Sequence, residues 1–213
     1  MPALERRCFV VAVVLGLIYI ALLPMKPYPL SWLLKPTPML IFAALAWRAH
    51  PGRVGFFLGA GFVAAAAGDF FLDYGDRDGL FIQALGAFLI NQLAFAAGFA
   101  LLVRGKPWLR WRMLPVTLYC LLLAVWLVPA AGAYQLPVAI YLLCLYVMAL
   151  MACRVEDKPG LLWLGAMLFV IADSLIGVNK FAQPFAYAIP VIVSCYFAGQ
   201  VLIAAGIVRG RAA

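Results

Sequence analysis

Residues 54–73 read VGFFLGAGFVAAAAGDFFLD, an apolar run long enough to cross a bilayer as a helix. Asp69 interrupts this run after four alanines and a glycine, and two phenylalanines follow it. A carboxylate inside a membrane helix costs about 2.5–3.5 kcal/mol on insertion scales, so such residues usually face a cavity and have a function. A second aspartate, Asp173, has a similar setting in residues 171–175, IADSL. We therefore expect the two acids to meet.

The composition of the 213-residue chain indicates a polytopic α-helical membrane protein. Hydrophobic residues make up 68% of the chain and charged residues 11%, and the mean hydropathy is +1.06. A soluble protein of this length cannot bury so many apolar residues in its core, whereas several consecutive membrane-spanning helices can accommodate them. The net charge of +8 is spread over short loops, which favours a role in membrane topology over nucleic-acid binding. The five cysteines lie in or beside apolar runs and indicate packing residues, not a disulfide or metal framework.

Charged, proline and glycine residues divide the apolar sequence into eight candidate membrane spans within one integral membrane domain, residues 1–213. Gly61 and Gly165 each stand eight residues before an aspartate, which suggests two four-helix halves related by an internal repeat. The predicted spans are residues 7–24, 33–49, 54–73, 79–103, 113–131, 135–153, 160–178 and 185–208.

An even number of spans places both termini on one face, and the basic residues indicate which face that is. The face with the termini collects twelve basic residues and the other face collects four. Because basic loops stay inside, we expect cytoplasmic termini and a bacterial inner membrane or an equivalent one. The twelve are Arg6, Arg7, Arg48, Arg53, Arg104, Lys106, Arg110, Arg112, Arg154, Lys158, Arg209 and Arg211, and the four are Lys26, Lys35, Arg77 and Lys180.

This topology gathers the intramembrane polar residues in the outer half of the membrane. Asp69 and Asp73 lie toward the outer end of the third span, and Asp173 lies at a similar depth in the seventh. Lys35 opens the second span at the outer face, where a lysine can hold a carboxylate or a lipid phosphate. Lys180 follows the seventh span at the same face, most simply as an interface anchor.

Amide and hydroxyl side chains in the remaining spans leave a structural and a functional interpretation open. Asn91 and Gln92 are adjacent in the fourth span, so they diverge by about 100° and cannot face one point equally well. Tyr196 and Gln200 lie one turn apart in the eighth span. His50 is the only histidine and lies on the opposite face, which disfavours a serine hydrolase triad and a zinc site.

Four stretches resemble the YhhN family of integral membrane proteins, whose characterised members include lysoplasmalogenases. They cover spans two, three, seven and eight. One departure is Gln92, which stands where the family motif of the fourth span leads us to expect a histidine, so only a hydrogen-bonding role carries over. The stretches are Lys35-Pro36-Thr37-Pro38-Met39, Gly68-Asp69-Phe70-Phe71-Leu72, Ala172-Asp173-Ser174-Leu175 with Lys180-Phe181, and Tyr196-Phe197-Ala198-Gly199-Gln200.

The resemblance implies hydrolysis of the alkenyl ether of lysoplasmalogens to a fatty aldehyde and glycerophosphocholine or glycerophosphoethanolamine, with no metal or organic cofactor. A vinyl ether is protonated at carbon and the resulting oxocarbenium ion is trapped by water, which suits one protonated and one ionised carboxyl. We expect Asp69 and Asp173 to form this acid/base pair, without assigning which is the acid. The predicted substrate-binding residues are Lys35, Asp73, Asn91, Gln92, Lys180, Tyr196 and Gln200.

Three other functions remain alternatives at this point. A proton-coupled transporter also uses intramembrane acids, but it would open them alternately to both faces. A retinal-binding photoreceptor would need Lys180 as its Schiff base, although that lysine stands at a span end. A non-catalytic lipid-binding protein would have the same pocket without turnover. A lysophospholipid and the surrounding membrane lipids are the predicted partners, and nucleic acid is not.

Overall fold

A computed structural model describes residues 1–74, 79–103, 110–156 and 160–210. These ranges contain eight α-helices of 13 residues or more, one α-helix of a single turn, two 3₁₀ turns and one π-helical turn, and no β-strand. Five basic residues of the topology count, Arg77, Arg104, Lys106, Lys158 and Arg211, lie outside the described residues. The helices are α1 Ala3–Ala21, α2 Ser31–Leu34, α3 Thr37–Ala49, α4 Arg53–Tyr74, α5 Phe81–Leu102, α6 Arg110–Ala130, α7 Gln135–Arg154, α8 Leu161–Gly177 and α9 Ala188–Arg209.

Six helical segments of the described chain are long and apolar enough to cross a membrane, which confirms an all-helical, multi-pass protein. They correspond to predicted spans three to eight; α8 contributes together with the π-helical turn Val178–Ala182 that continues it. The first two predicted spans do not meet the same criteria. Helix α1 has three charged residues near its start, Glu5, Arg6 and Arg7. Helix α3 has 13 residues, so it is about 20 Å long against a hydrocarbon core of about 30 Å.

A break between α2 and α3 places Lys35 inside one end of the helical bundle. Pro36 precedes α3 and Pro38 lies in its first turn, where a missing backbone N–H costs nothing. Thr37 steadies the junction, because its hydroxyl donates a hydrogen bond of 2.6 Å to the carbonyl of Leu33. The Lys35 side chain, only 8% exposed, therefore projects from this junction into the bundle.

The most extensive helix packing joins α4 to α5 and α8 to α9. Close approach explains both pairs: a Cβ at Gly61 would lie 2.5 Å from the Phe95 ring, and one at Gly165 would lie 2.7 Å from the Gly199 carbonyl oxygen. Small residues are what membrane helices use to bring backbones together. These pairs occupy equivalent places in the two predicted four-helix halves, so the packing agrees with that division, which stays a prediction.

Candidate active site

Asp69 lies at a fully buried charge centre formed by three separate parts of the chain. Its Oδ1 is 3.3 Å from Nζ of Lys35, and its Oδ2 accepts a hydrogen bond of 2.7 Å from the Tyr196 hydroxyl. Helix α4 supplies the carboxylate, the α2–α3 junction the cation and α9 the phenol. An isolated ionised carboxylate would be very costly here, so the lysine and the tyrosine are what make this position tolerable.

Asp173 lies at a second centre, formed by α5, α7 and α8. Its Oδ2 accepts two hydrogen bonds, one of 2.5 Å from the Tyr141 hydroxyl and one of 3.0 Å from Nε2 of Gln92. Its Oδ1 accepts neither of them. Within the described part of the chain no lysine or arginine forms an ion pair with Asp173. The residue Asp173 is 7% exposed, whereas Asp69 is 0% exposed.

One aromatic ring links the two centres. Phe88 of α5 packs against the ring of Tyr196 at a centroid distance of 5.8 Å, and Tyr196 in turn binds Asp69. A Cβ at Gly68 would lie 2.7 Å from the same Phe88 ring, so the glycine before Asp69 allows this contact. Phe88 also lines the cavity that reaches Asp173. The two acids therefore share a neighbourhood without a direct hydrogen bond between them.

Two spaces that share part of their lining lie beside these centres. The apolar cavity, about 50 Å³, reaches Asp173 and Tyr141; the vestibule, about 410 Å³, contains three lysines and one aspartate. Both are lined by Leu72, Phe81 and Ile176, which therefore lie between them, and neither is lined by Asp69. The polar lining of the vestibule consists of Tyr19, Lys26, Lys35, Asp73, Asn179 and Lys180.

Asp73 and the loop after α1 form the outer rim of the vestibule. The Oδ1 atom of Asp73 accepts a hydrogen bond of 2.6 Å from the Tyr19 hydroxyl and forms an ion pair with Lys26. Burial and the Asp73 carboxylate raise the pKa of the Tyr28 hydroxyl in the same loop. Across the vestibule, Nζ of Lys180 lies 4.2 Å from the centroid of the Phe81 ring, a cation–π distance.

Comparison with known proteins identifies the family of this chain. The YhhN family model matches residues 30–207. The chain belongs to the YhhN family. It is 31% identical over 170 residues to lysoplasmalogenase TMEM86A of Bos taurus, which covers 76% of this chain and 68% of that protein. It is 33% identical over 180 residues to a Mycobacterium bovis lysoplasmalogenase, with 81% and 69% coverage, and 32% identical over 198 residues to human lysoplasmalogenase TMEM86B, with 84% and 77% coverage. No solved structure matches the chain significantly.

Most of the site residues predicted from the sequence lie together in this YhhN protein. Asp69 contacts Lys35 and Tyr196, and Asp173 contacts Gln92. Three of the residues that the sequence assigned to one membrane face, Lys35, Asp73 and Lys180, line the vestibule. The described residues contain no group of three His, Cys, Asp or Glu side chains that could hold a metal ion.

Four predicted substrate-binding residues line neither space: Gln92 and Tyr196, which donate hydrogen bonds to the two acids, and Asn91 and Gln200, which do not. The Asn91 amide donates a hydrogen bond of 2.8 Å to the carbonyl of Gly61, so it joins α5 to α4 as an interhelical bridge. Gln200 is fully buried one turn after Tyr196, and its amide has no hydrogen-bond partner in the described part of the chain. The side chains of Asn91 and Gln92 diverge by about 100°, and Gln92 is the one that contacts an acid, Asp173.

Sequence reasoning missed Tyr141, Tyr19 and Lys26. Tyr141 lies on the buried side of α7, next in the helical stripe to Val138 and Leu145, where an aromatic residue looks like ordinary core. Tyr19 has the same appearance in α1, at 2% exposure. Lys26 was counted only as an outer-loop charge. A search for tyrosine hydroxyls in apolar helices, which need a partner when buried, would have found the two tyrosines.

Proposed function

We propose that this protein hydrolyses the alkenyl ether bond of lysoplasmalogens, releasing a fatty aldehyde and glycerophosphocholine or glycerophosphoethanolamine. Its membership of the YhhN family and its relatives named lysoplasmalogenase support this reaction. The observation that carries the proposal is the Asp173 carboxyl, which lines an apolar cavity that shares Leu72, Phe81 and Ile176 with a lysine-lined vestibule. The substrate has matching parts in the same order: an apolar chain for the cavity, an ether bond for the carboxyl and a phosphate for the lysines.

We propose that the substrate phosphate binds in the vestibule, which is lined by Lys26, Lys35 and Lys180. Ammonium groups bind phosphate well as point charges. Asp73 contributes by holding Lys26 at the rim, because its Oδ1 is engaged by Lys26 and Tyr19.

Carboxylate acid/base catalysis performs the reaction at the apolar cavity. A carboxyl proton is transferred to the alkenyl carbon that does not bear the oxygen, and the adjacent carbon becomes an oxocarbenium ion. Water adds to this ion and loses a proton to a carboxylate, which gives a hemiacetal. The hemiacetal then breaks its bond to the glycerol oxygen, releasing the aldehyde and the free alcohol. Asp69 and Asp173 are the two carboxyl groups proposed to support these steps, without a metal or organic cofactor.

The proposed membrane arrangement has eight segments with both termini in the cytoplasm. The N-terminal helix α1 and the α2–α3 pair, which precede the six long apolar helices, contribute the first two. The excess of basic residues on the face with the termini supports this orientation. The vestibule then opens at the outer leaflet, and a bacterial inner membrane or an equivalent is the proposed location.

An aldehyde assay tests the proposed function. Purified protein is incubated with a lysoplasmalogen and, separately, with the saturated ether analogue of the same chain length and headgroup. We expect aldehyde from the alkenyl ether alone, no aldehyde with Asp173→Asn, and normal release with the neighbouring control Ser174→Ala. Ser174 is a suitable control because its hydroxyl donates a hydrogen bond of 2.6 Å within α8, to the carbonyl of Val170. Specific binding of the lysoplasmalogen without aldehyde would favour a lipid-binding or transport function instead.

A further inference from the structure

The two acids have different surroundings, and this difference assigns their roles. Building on the proposed function, we infer that Asp173 alone gives the proton to the alkenyl carbon and later takes the proton from the attacking water. Asp69 is a positioning residue that anchors Lys35 and Tyr196 and does not touch the reacting bond. Tyr141 and Gln92, which hold the Asp173 carboxyl, are the positioning residues that direct its proton.

The charges around each acid support this division. Asp69 has a buried lysine 3.3 Å away, which favours the ionised carboxylate. The Asp173 centre contains a phenol and an amide, both neutral, and no cation pairs with it in the described part of the chain. A carboxyl group in an apolar site without a compensating charge favours its neutral, protonated form. Asp173 is therefore the acid that holds a proton to give.

The hydrogen bonds at Asp173 decide which oxygen carries that proton. Tyr141 and Gln92 both donate to Oδ2, so this oxygen acts as an acceptor twice. The proton of the neutral carboxyl group is then on Oδ1, the oxygen that accepts neither bond. Asp173 also lines the apolar cavity, so its remaining donor serves whatever the cavity contains. Two neutral donors on one oxygen thus keep the transferable proton on the other.

Access to the cavities gives the same assignment. Asp69 is 0% exposed and lines neither the apolar cavity nor the vestibule. Its two oxygens face Lys35 and Tyr196, respectively. Lys35, by contrast, lines the vestibule, so the charge of Asp69 reaches the substrate headgroup only through the lysine that it holds. Removing Asp69 should therefore disturb headgroup binding more than chemistry.

The bonds and protons of the whole reaction balance with a single carboxyl group. Asp173 loses its proton when the new C–H bond forms and the C=C π bond is lost, leaving a carboxylate beside the oxocarbenium ion. As the water oxygen bonds to the cationic carbon, the carboxylate takes the water proton and is restored to its starting form. Collapse of the hemiacetal moves the remaining hydroxyl proton to the glycerol oxygen while its C–O bond breaks. One water is consumed, and no oxidant, reductant or metal is needed.

The test compares turnover per folded site in matched variants. The saturated ether lysophospholipid is bound by the purified protein and counts the folded sites, and aldehyde release then gives kcat and KM for the lysoplasmalogen. Asp173→Asn should lose at least about 100-fold in kcat per site, as expected for loss of a general acid/base. Asp69→Asn should lose no more than about tenfold in kcat and show a larger rise in KM.

Tyr141→Phe tests the positioning of the proton against the control Tyr146→Phe on the same helix. Tyr146 is hydrogen-bonded at 3.0 Å to Thr117 and lies in neither space. Tyr141→Phe should lower kcat about tenfold, the effect of one hydrogen bond, with KM unchanged. Tyr146→Phe should leave both constants unchanged. A loss of kcat alone, measured per site that binds the saturated analogue, is a result that a merely structural role for Tyr141 would not produce.

Three results overturn the inference. Asp69→Asn could be as inactive per folded site as Asp173→Asn, or Tyr141→Phe could match Tyr146→Phe in kcat; either contradicts the assigned roles while the proposed function stands. If Asp173→Asn does not bind the analogue, the two tyrosine variants decide the assignment. A wild-type protein that binds the analogue and releases no aldehyde contradicts the proposed function itself, and the assignment with it.

Discussion

Replacing Lys35 by methionine should destabilise the folded protein by several kcal/mol at neutral pH. The change keeps the apolar stem and removes the ammonium, leaving Asp69 with the Tyr196 hydrogen bond alone. Breaking a buried ion pair by removing one partner typically costs about 3–5 kcal/mol. Protonation of Asp69 limits the cost, because neutralising a carboxyl of ordinary pKa near 3.9 at pH 7 takes about 1.36 kcal/mol per pH unit, or about 4 kcal/mol.

This limit makes the penalty depend on pH in a predictable direction. The folded variant holds Asp69 protonated, whereas the unfolded chain releases that proton above its ordinary pKa. The folded state then binds more protons, so the stability of the variant falls as the pH rises. At pH 5 the same calculation gives about 1.5 kcal/mol instead of about 4 kcal/mol. A second change, Asp69→Asn, removes the carboxyl and should abolish this pH dependence.

Thermal unfolding of the purified protein in detergent measures the effect. For a chain of this size one kcal/mol shifts the midpoint by about 2–4 °C, so we expect a drop of about 8–16 °C at pH 7 and about 3–6 °C at pH 5. Arg209→Met is the control, since Arg209 is exposed in the last turn of α9 and forms no ion pair within the described residues. Its loss should cost at most about 1 kcal/mol. Equal drops at both pH values, or no difference from Arg209→Met, would refute the buried charge pair.

Three further variants probe packing, bridging and headgroup binding. Gly165→Ala should destabilise the protein by about 1–3 kcal/mol, because the new Cβ would lie 2.7 Å from the Gly199 carbonyl oxygen. The control Gly86→Ala, whose Cβ would have nothing within 4 Å, should be neutral or stabilising by up to about 1 kcal/mol. Equal melting midpoints for the two alanine variants would contradict the close α8–α9 crossing. Asn91→Leu should cost about 1–2 kcal/mol of stability by removing its bond to Gly61, and kinetic measurements should find kcat and KM unchanged; a selective loss of kcat would return Asn91 to the active site. Lys180→Gln should raise KM for a lysoplasmalogen about tenfold with little change in kcat, since a charged contact to the phosphate is lost; an unchanged KM would remove Lys180 from the headgroup site.

The long apolar helices could be predicted from the sequence because their signal is strong. Residues 54–73 and 79–103 correspond to Arg53–Tyr74 and Phe81–Leu102, within two residues at each end. The first two spans were harder to judge, because charges open α1 and a proline-containing break divides residues 31–49 into α2 and α3. Hydropathy alone does not say whether a helix of 13 residues crosses a membrane or only enters it.

The acids and their charged partner could also be found from the sequence, since a carboxylate or a lysine in an apolar run needs a reason. The pairing of Lys35 with Asp69, and not with Asp173, depends on how three distant segments pack, which no local pattern reports. Tyr141 was missed for a related reason, because placing a tyrosine in a membrane helix costs little free energy and its presence needs no functional explanation. Its hydroxyl indicates the site only once the structure shows it 2.5 Å from the Asp173 carboxylate.

The fate of hydrogen during turnover tests the central claim most directly. Purified protein is given a lysoplasmalogen in D₂O, the aldehyde is trapped as it forms, and its mass is compared with that of the aldehyde formed in H₂O. If the Asp173 carboxyl, exchanged with solvent, protonates the alkenyl carbon, the aldehyde gains one deuterium on the carbon next to the carbonyl, and Asp173→Asn gives none of this product. Aldehyde without deuterium, or undiminished deuterated aldehyde from Asp173→Asn, would contradict carbon protonation by this residue.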